Sequence, residues 1–300
     1  MTYRPRVVDR ELQERLESAG AVLIEGPKAC GKTETAGRVA GSAVLLDIDE
    51  NARQAASLAP QRLLEGATPR LIDEWQLAPE IWNHVRREVD ARAEPGQFIL
   101  TGSLIPAEDT LRHSGAGRIS RLLMRPMTLF ELGHATGEVS IGRLLDADVD
   151  GAGDPGLDLE SLAGLITAGG WPGHLGRSIE AATRAARDYV AEIAHTDVLS
   201  VDGVRRDPRK VARFLASLAR NTATYASNNT LAADTHGSEG QVGRHTVSDY
   251  LTALERLFVI EEQPAWSPHI RSRARLRQAS KRHFVDPSLA VAALGLTQGR

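Results

Sequence analysis

The chain has 300 residues, 42% of them hydrophobic and 25% charged, as in an ordinary globular protein of about two domains. No stretch nears the roughly 18 apolar residues that cross a bilayer, MTYRPRVVDRELQERL lacks a secretory core, and one cysteine cannot form an internal disulfide. These features set aside a membrane-spanning or disulfide-stapled protein and fit a cytoplasmic one; the net charge of −3 divides into −10 over residues 1–203 (21 Lys+Arg, 31 Asp+Glu) and +7 over 204–300 (15 and 8).

Residues 1–20 read as a short helix closed by Gly20. AVLIE (21–25) is an apolar run of strand length, followed at once by a glycine loop, and TETAGRVA (33–40) reads as a helix. Further buried strands are expected at AVLLDI (43–48), RLIDE (70–74), QFILTGS (97–103) and SRLLM (120–124). Between the third and fourth, Ala78, Ile81, Trp82, Val85 and Val89 recur at helical spacing. Apolar strands alternating with helices predict an α/β fold with a parallel five-stranded sheet covered on both faces.

LLDADVDGAGDPGLDLE (144–160) has the composition of a linker. Beyond it a helix at 208–222 carries Val211, Phe214, Leu215 and Leu218 on one face, and NTLAADT (229–235) reads as a short helix. RHTVSDYLTALERLF (244–258) has a capping-box pattern at Thr246 and Asp249, then a stripe of Val247, Tyr250, Leu251, Leu254, Leu257 and Phe258. VIEEQPAW and the alternating RSRARLR (271–277) read as strands or a hairpin. That order is the order of a winged helix-turn-helix. No internal repeat is present.

Gly26-Pro27-Lys28-Ala29-Cys30-Gly31-Lys32-Thr33 satisfies G-x-x-x-x-G-K-[ST], with the required strand before it and helix after it. Backbone N–H groups of such a loop, with the helix N-terminus behind them, cradle phosphates. Lys32 is expected on the β- and γ-phosphates of ATP, and Thr33 on Mg²⁺. Asp73 and Glu74, at the end of the third strand, supply the second Mg²⁺-organising acid and a base for the attacking water. Adjacent acids at a strand end are also ordinary helix caps; beside a P-loop they read as catalytic. Thr101-Gly102-Ser103 ends the fourth strand, either as a sensor of the γ-phosphate or lytic water or as a turn. Arg118, with Arg121 nearby, is a candidate for stabilising phosphoryl charge, in cis or from a second copy of the chain, against a plain surface role. Cys30 occupies a variable loop position and is expected to lie against the phosphates, where Mg-ATP would slow its alkylation.

GPKACGKT, LIDEWQ, FILTGS, GAGRISRLLMRPMTLFEL and GGWPGHL together resemble the prokaryotic AAA+-type ATPases that carry a C-terminal domain of unknown function. YLTALERLFVIEEQPAW and KRHFVDPSLA extend the likeness over nearly the whole chain. The resemblance implies a P-loop ATPase domain over 1–135, a linker and helical region over 136–203, a winged-helix-like domain over 204–268, and the start of a truncated C-terminal segment over 269–300. Relatives commonly continue into a segment with a nuclease-like fold, some with an acidic E-V-D…E-V-K pattern, and no such motif is present in these 300 residues.

The implied function is Mg-dependent ATP hydrolysis coupled to a DNA- or protein-interaction domain, with self-association as a further expectation. The alternative is a nucleotide-bound switch that does not turn over. A small-molecule kinase fits the LIDE motif and the large C-terminal region less well. For an anionic partner the sequence offers Arg271, Arg273, Arg275 and Arg277 on one face of a strand, a cluster of Arg205, Arg206, Arg209 and Lys210, and a weakly basic helix face of His245, Ser248, Thr252, Glu255 and Arg256. The nine histidines are dispersed, without a zinc spacing, and no serine sits in G-x-S-x-G.

Overall fold

Five strands form one parallel sheet: β1 (Ala21–Glu25), β2 (Ser42–Leu45), β3 (Arg70–Asp73), β4 (Phe98–Gly102) and β5 (Ile119–Leu123). The computed structural model describes residues 3–106, 114–147, 151–235, 242–266 and 279–297. The strand order is β2-β3-β4-β1-β5. β4 therefore lies between the strand that leads into the glycine loop and the strand that ends in Asp73. Alternate strand residues feed two cores, as the two-residue period of a strand requires. Leu23, Ile72 and Leu100 join Trp75, Ile81, Trp82 and Val85 on one face. Val22, Ile24, Leu71 and Ile99 join Leu12, Leu16 and Leu122 on the other.

The first helix, α1 (Val8–Ser18), packs Leu12 and Leu16 on this second face. The glycine loop leads into α2 (Lys32–Gly37), shorter than the expected 33–40. Between β2 and β3 stands α3 (Glu50–Leu58), which the sequence reading did not anticipate although Asp49 caps it by accepting from the Ala52 N–H. α4 (Ile81–Arg92) buries Ile81, Trp82, Val85 and Val89, the stripe expected from spacing.

After a short α5 (Ile141–Leu145) the described chain has no regular structure until Asp158 caps α6 (Leu159–Ala168). α7 (Ile179–Glu192) runs through a π-helical turn, Ile193–Asp197, into α8 (Val198–Ser200). α9 (Pro208–Arg220), α10 (Asn228–Asp234) and α11 (Arg244–Arg256) follow. β6 (Ile260–Gln263) pairs antiparallel with β7 (Lys281–Phe284), and α12 (Pro287–Ala293) ends the described fold. Trp171, Ile193, Phe214, Leu254, Phe284 and Leu289 share one core, so α7, α9, α11 and α12 close around common apolar surface.

Four expectations about this half are corrected or lie elsewhere. No capping box forms: Gly243 is the N-cap of α11 without a side-chain hydrogen bond. Asp249 instead pairs with Arg206, because that guanidinium, 3% exposed, lies between Asp202 and Asp249 at 2.8 and 3.0 Å. Arg206 is thus an internal bridge and no part of an anion-facing cluster. Arg256 also leaves the expected exposed face: Nε donates to Ile105 O at 2.9 Å and Nη2 to Val201 O at 2.8 Å. The arginines at 271–277 lie outside the described residues; the partner of β6 is the later segment Lys281–Phe284.

Candidate nucleotide-binding site

The loop after β1 is held open by its backbone. Ala29 has φ 62° and Gly31 φ 103°, both left-handed, and Gly31 is the N-cap of α2. Successive left-handed and helical residues turn N–H groups toward one centre, which is the geometry of an anion nest. Lys32 is 5% exposed, and its ammonium donates to Gly26 O at 3.0 Å and Pro27 O at 2.8 Å, so the charge sits inside the ring of the loop.

The sheet order brings the acids to this loop. Thr33 Oγ1 donates to Asp73 Oδ1 at 2.9 Å and approaches Oδ2 at 3.1 Å. From the intervening β4, the Thr101 hydroxyl donates to Asp73 Oδ1 and accepts the Glu74 N–H at 3.1 Å. Thr101 is fully buried, so both of its hydrogen bonds hold acids in place. Burial pushes the Asp73 carboxyl up, the two threonine hydroxyls pull it down, and the Glu74 and Asp47 charges raise it again, leaving it above the usual aspartate value.

Glu74 has φ 53° and ψ 46°, a conformation that costs a non-glycine residue about 1–2 kcal/mol. The kink turns its carboxylate from the strand toward the end of β4. There Ser103 Oγ donates to Glu74 Oε2 at 3.1 Å and Gln76 Nε2 donates to the same oxygen. Asp73 and Thr33 provide two hard oxygen groups. That donor set suits Mg²⁺, which takes few protein ligands and keeps phosphate and water for the rest. No group of three or more His, Cys, Asp and Glu able to hold a metal ion assembles among the described residues.

On this geometry the role expected of Arg118 within its own chain and the phosphate-facing position expected of Cys30 fail, while Arg121 has a partner of its own. Arg118 precedes β5 and accepts the Ala21 N–H at 3.1 Å, at the N-terminal edge of a parallel sheet whose glycine loop leaves the opposite edge. Its guanidinium pairs with Asp90 at 2.7 Å, so Arg118 stands away from the loop of its own chain. Arg121 pairs with Glu25 at 2.6 Å. Cys30 does not face the loop's concave side: its side chain is 0% exposed, packs with Ile24, Leu122 and Met124, and Sγ donates to Met124 O at 3.6 Å.

Residues outside the motif complete the surroundings. Arg6 is buried and donates to Cys30 O at 2.8 Å, Arg125 O at 2.7 Å and Glu131 Oε1 at 3.0 Å, tying the loop to the segment after β5. Burial works against the Glu131 charge, yet N–H groups of Thr128 and Val7, with Arg6, hold its carboxyl below the usual range. The Lys28 ammonium pairs with Asp197 in the π-helical turn, and Tyr189 OH donates to Lys28 O at 3.3 Å. Beside Gly31 and Glu34 opens a cavity of about 280 Å³, lined also by Tyr3, Arg6, Met127 and Pro172. Tyr3 is fixed there by hydrogen bonds to Asp9 at 2.6 Å and Thr35 at 3.0 Å. Ser103 lies in the strand-end Thr-Gly-Ser that the sequence singles out, whereas Gln76 was passed over although it stands two residues after Glu74. Arg6, Tyr189 and Asp197 carried no sequence signal, since only folding brings them to the loop.

Residues 18–133 match the family described as "AAA domain", and residues 159–300 match "Domain of unknown function (DUF8612)". Over 99% of its length the chain is 26% identical to an uncharacterized protein of Mycobacterium bovis and to another of Mycobacterium tuberculosis. It spans 61% of the length of these curated relatives. Its fold is similar to that of the Walker-type ATPase of Pyrococcus abyssi, with a TM-score of 0.52, 13% identity, and coverage of 95% of this chain and 94% of that one.

Proposed function

We propose that this AAA-type P-loop protein, with its C-terminal domain of unknown function, binds ATP and hydrolyses it by attack of water on the γ-phosphate. The observation that carries the reading is the single hydrogen-bonded unit of Thr33, Asp73, Thr101, Glu74 and Ser103 at the glycine loop. The loop N–H groups of residues 28–33 would bind phosphate oxygens, and Lys32 would leave its carbonyls for the β- and γ-phosphates. Thr33 and Asp73 would hold Mg²⁺, which neutralises phosphate charge when bound. Glu74 would accept the proton of the attacking water, and Thr101 would keep both acids in register. The cavity beside Gly31 and Glu34 would take the base and ribose.

The C-terminal half would receive the nucleotide signal through Lys28 and act on a protein or nucleic acid. The helix order α9-α10-α11 followed by an antiparallel strand pair supports a winged-helix reading of that half. Its excess positive charge supports a DNA partner, although Arg206, Arg256 and Arg282 are engaged within the protein.

The test is phosphate release and nucleotide binding by purified protein, with and without duplex DNA. Lys32→Ala is expected to lose binding. Glu74→Gln is expected to bind ATP as before and to lose turnover by about a hundredfold or more. Full turnover in Glu74→Gln would remove the assigned base. A wild type that binds tightly and releases no phosphate would favour the non-hydrolysing switch. DNA affinity unchanged by joint replacement of Arg271, Arg273, Arg275 and Arg277 with Ala would set aside the DNA contact.

A further inference from the structure

Gln76 lies two residues beyond Glu74, in the short 3-10 turn Trp75–Leu77 that follows β3. Its amide nitrogen donates to Glu74 Oε2 and reaches Ser103 Oγ at 3.4 Å. Ser103 Oγ donates to the same carboxylate oxygen at 3.1 Å. The amide orientation is therefore forced: the reverse flip would set the amide oxygen against a carboxylate. In the orientation it takes, Oε1 is buried and meets no hydrogen-bond donor among the described residues. The N–H end is the part that is used, and it is used on Glu74.

We propose that Gln76 is a positioning residue for the hydrolytic step: with Ser103 it fixes one oxygen of the Glu74 carboxylate and so leaves the other to take the proton of the attacking water. The inference rests on the reading of Glu74 as the base. Asp73 is fixed in the same way by Thr33 and Thr101, so each acid of the pair has its own two donors. The two sets meet only at Thr101, which accepts the Glu74 N–H. The Gln76 side-chain hydrogen bonds among the described residues go to Glu74 and Ser103 and not to the glycine loop, so its loss should leave nucleotide affinity alone. The extended side chain of a free glutamate samples several rotamers, and misplacement of a base by an ångström is enough to cost orders of magnitude in rate.

The experiment measures kcat, KM and ATP affinity for Gln76→Ala, Ser103→Ala and Gln76→Met, each alone and combined with Glu74→Gln. Gln76→Ala is expected to lower kcat by about ten- to a hundredfold, with KM and ATP affinity within about twofold of wild type. Ser103→Ala is expected to act in the same direction and less strongly. In the Glu74→Gln background, single-turnover rates are expected to fall no further when Gln76 is also changed, because the group it positions is already inert. Gln76→Met keeps the shape without the hydrogen bond, and serves where the alanine variant does not fold. A wild-type kcat in both Gln76 variants overturns the proposal. So does a Gln76 loss that multiplies with that of Glu74→Gln. The assignment of Glu74 is judged separately, by the Glu74→Gln variant alone.

Discussion

Cys30 sits in the most chemically suggestive loop of the chain, yet its sulfur has no part in that chemistry. Cys30 is turned inward onto Ile24, Leu122 and Met124 while its carbonyl is held by Arg6. Burial raises its thiol above the ordinary value, and the Lys32 and Arg6 charges only partly counter this. Maleimide is expected to react with the folded protein at the same negligible rate with and without Mg-ATP, and to react fully in denaturant; mass spectrometry reads both. Arg6 makes a second prediction at this scale. Arg6 and Glu131 have side chains 5% and 4% exposed and form a buried pair. Breaking it with Arg6→Ala leaves a buried carboxylate without its counter-charge, held only by Val7 and Thr128, and is expected to cost about 3 kcal/mol in denaturant unfolding. Because the folded state lowers the Glu131 value, the stabilisation is present above the unfolded glutamate value of about 4.3 and is lost as pH falls below it. Unfolding free energies of wild type and Glu131→Gln should therefore converge in acid.

The elements of the sheet were legible from apolar runs, because strands buried on both faces are apolar throughout and glycine loops or turns mark their ends. β1 matches the expected 21–25 residue for residue. α3 was missed because Ala52, Ala55 and Ala56 are its packing residues, and small side chains give a weak periodic signal. The capping box at Thr246 failed because the helix begins two residues earlier, at Arg244, which leaves Thr246 inside it, and Arg206, distant in sequence, takes Asp249. A close approach between elements gives the prediction at this scale. A Cβ on Gly170 would lie 2.0 Å from Met127 O, and Met127 N donates to Gly170 O at 2.6 Å. Gly170→Ala must separate these backbones. It is expected to destabilise by about 2 kcal/mol, read as a fall in Tm of about 5 °C, with the sheet domain still folded by circular dichroism.

Across the whole molecule, the glycine loop is one of the places where the two halves meet in polar contact. Lys28 is half exposed, whereas Asp197 is 7% exposed. That asymmetry predicts unequal losses. Lys28→Ala strands a buried carboxylate and is expected to cost about 2–3 kcal/mol in nucleotide-free denaturation. Asp197→Asn removes the buried charge together with its desolvation and is expected to cost less than about 1 kcal/mol. Equal losses would mean that the pair is an ordinary surface contact. If Lys28 turns to phosphate, the π-helical turn loses its partner, and amide exchange over residues 193–200 should rise when Mg-ATP is added to wild type but not to Asp197→Asn.

The sequence alone determined the strands, the glycine loop, Lys32, Thr33 and the acid pair, because these depend on local hydrophobic pattern and on residue types at fixed spacing. Only the tertiary structure decided which residues serve them. Insertion of β4 between β1 and β3 puts Thr101 and Ser103 on the acids. The parallel run of β5 carries Arg118 to the far edge. Closure of the C-terminal half brings Asp197 to Lys28 across 169 residues of chain. No local pattern encodes such contacts, since each forms between segments whose separation in space is fixed only when the sheet order and the two cores are.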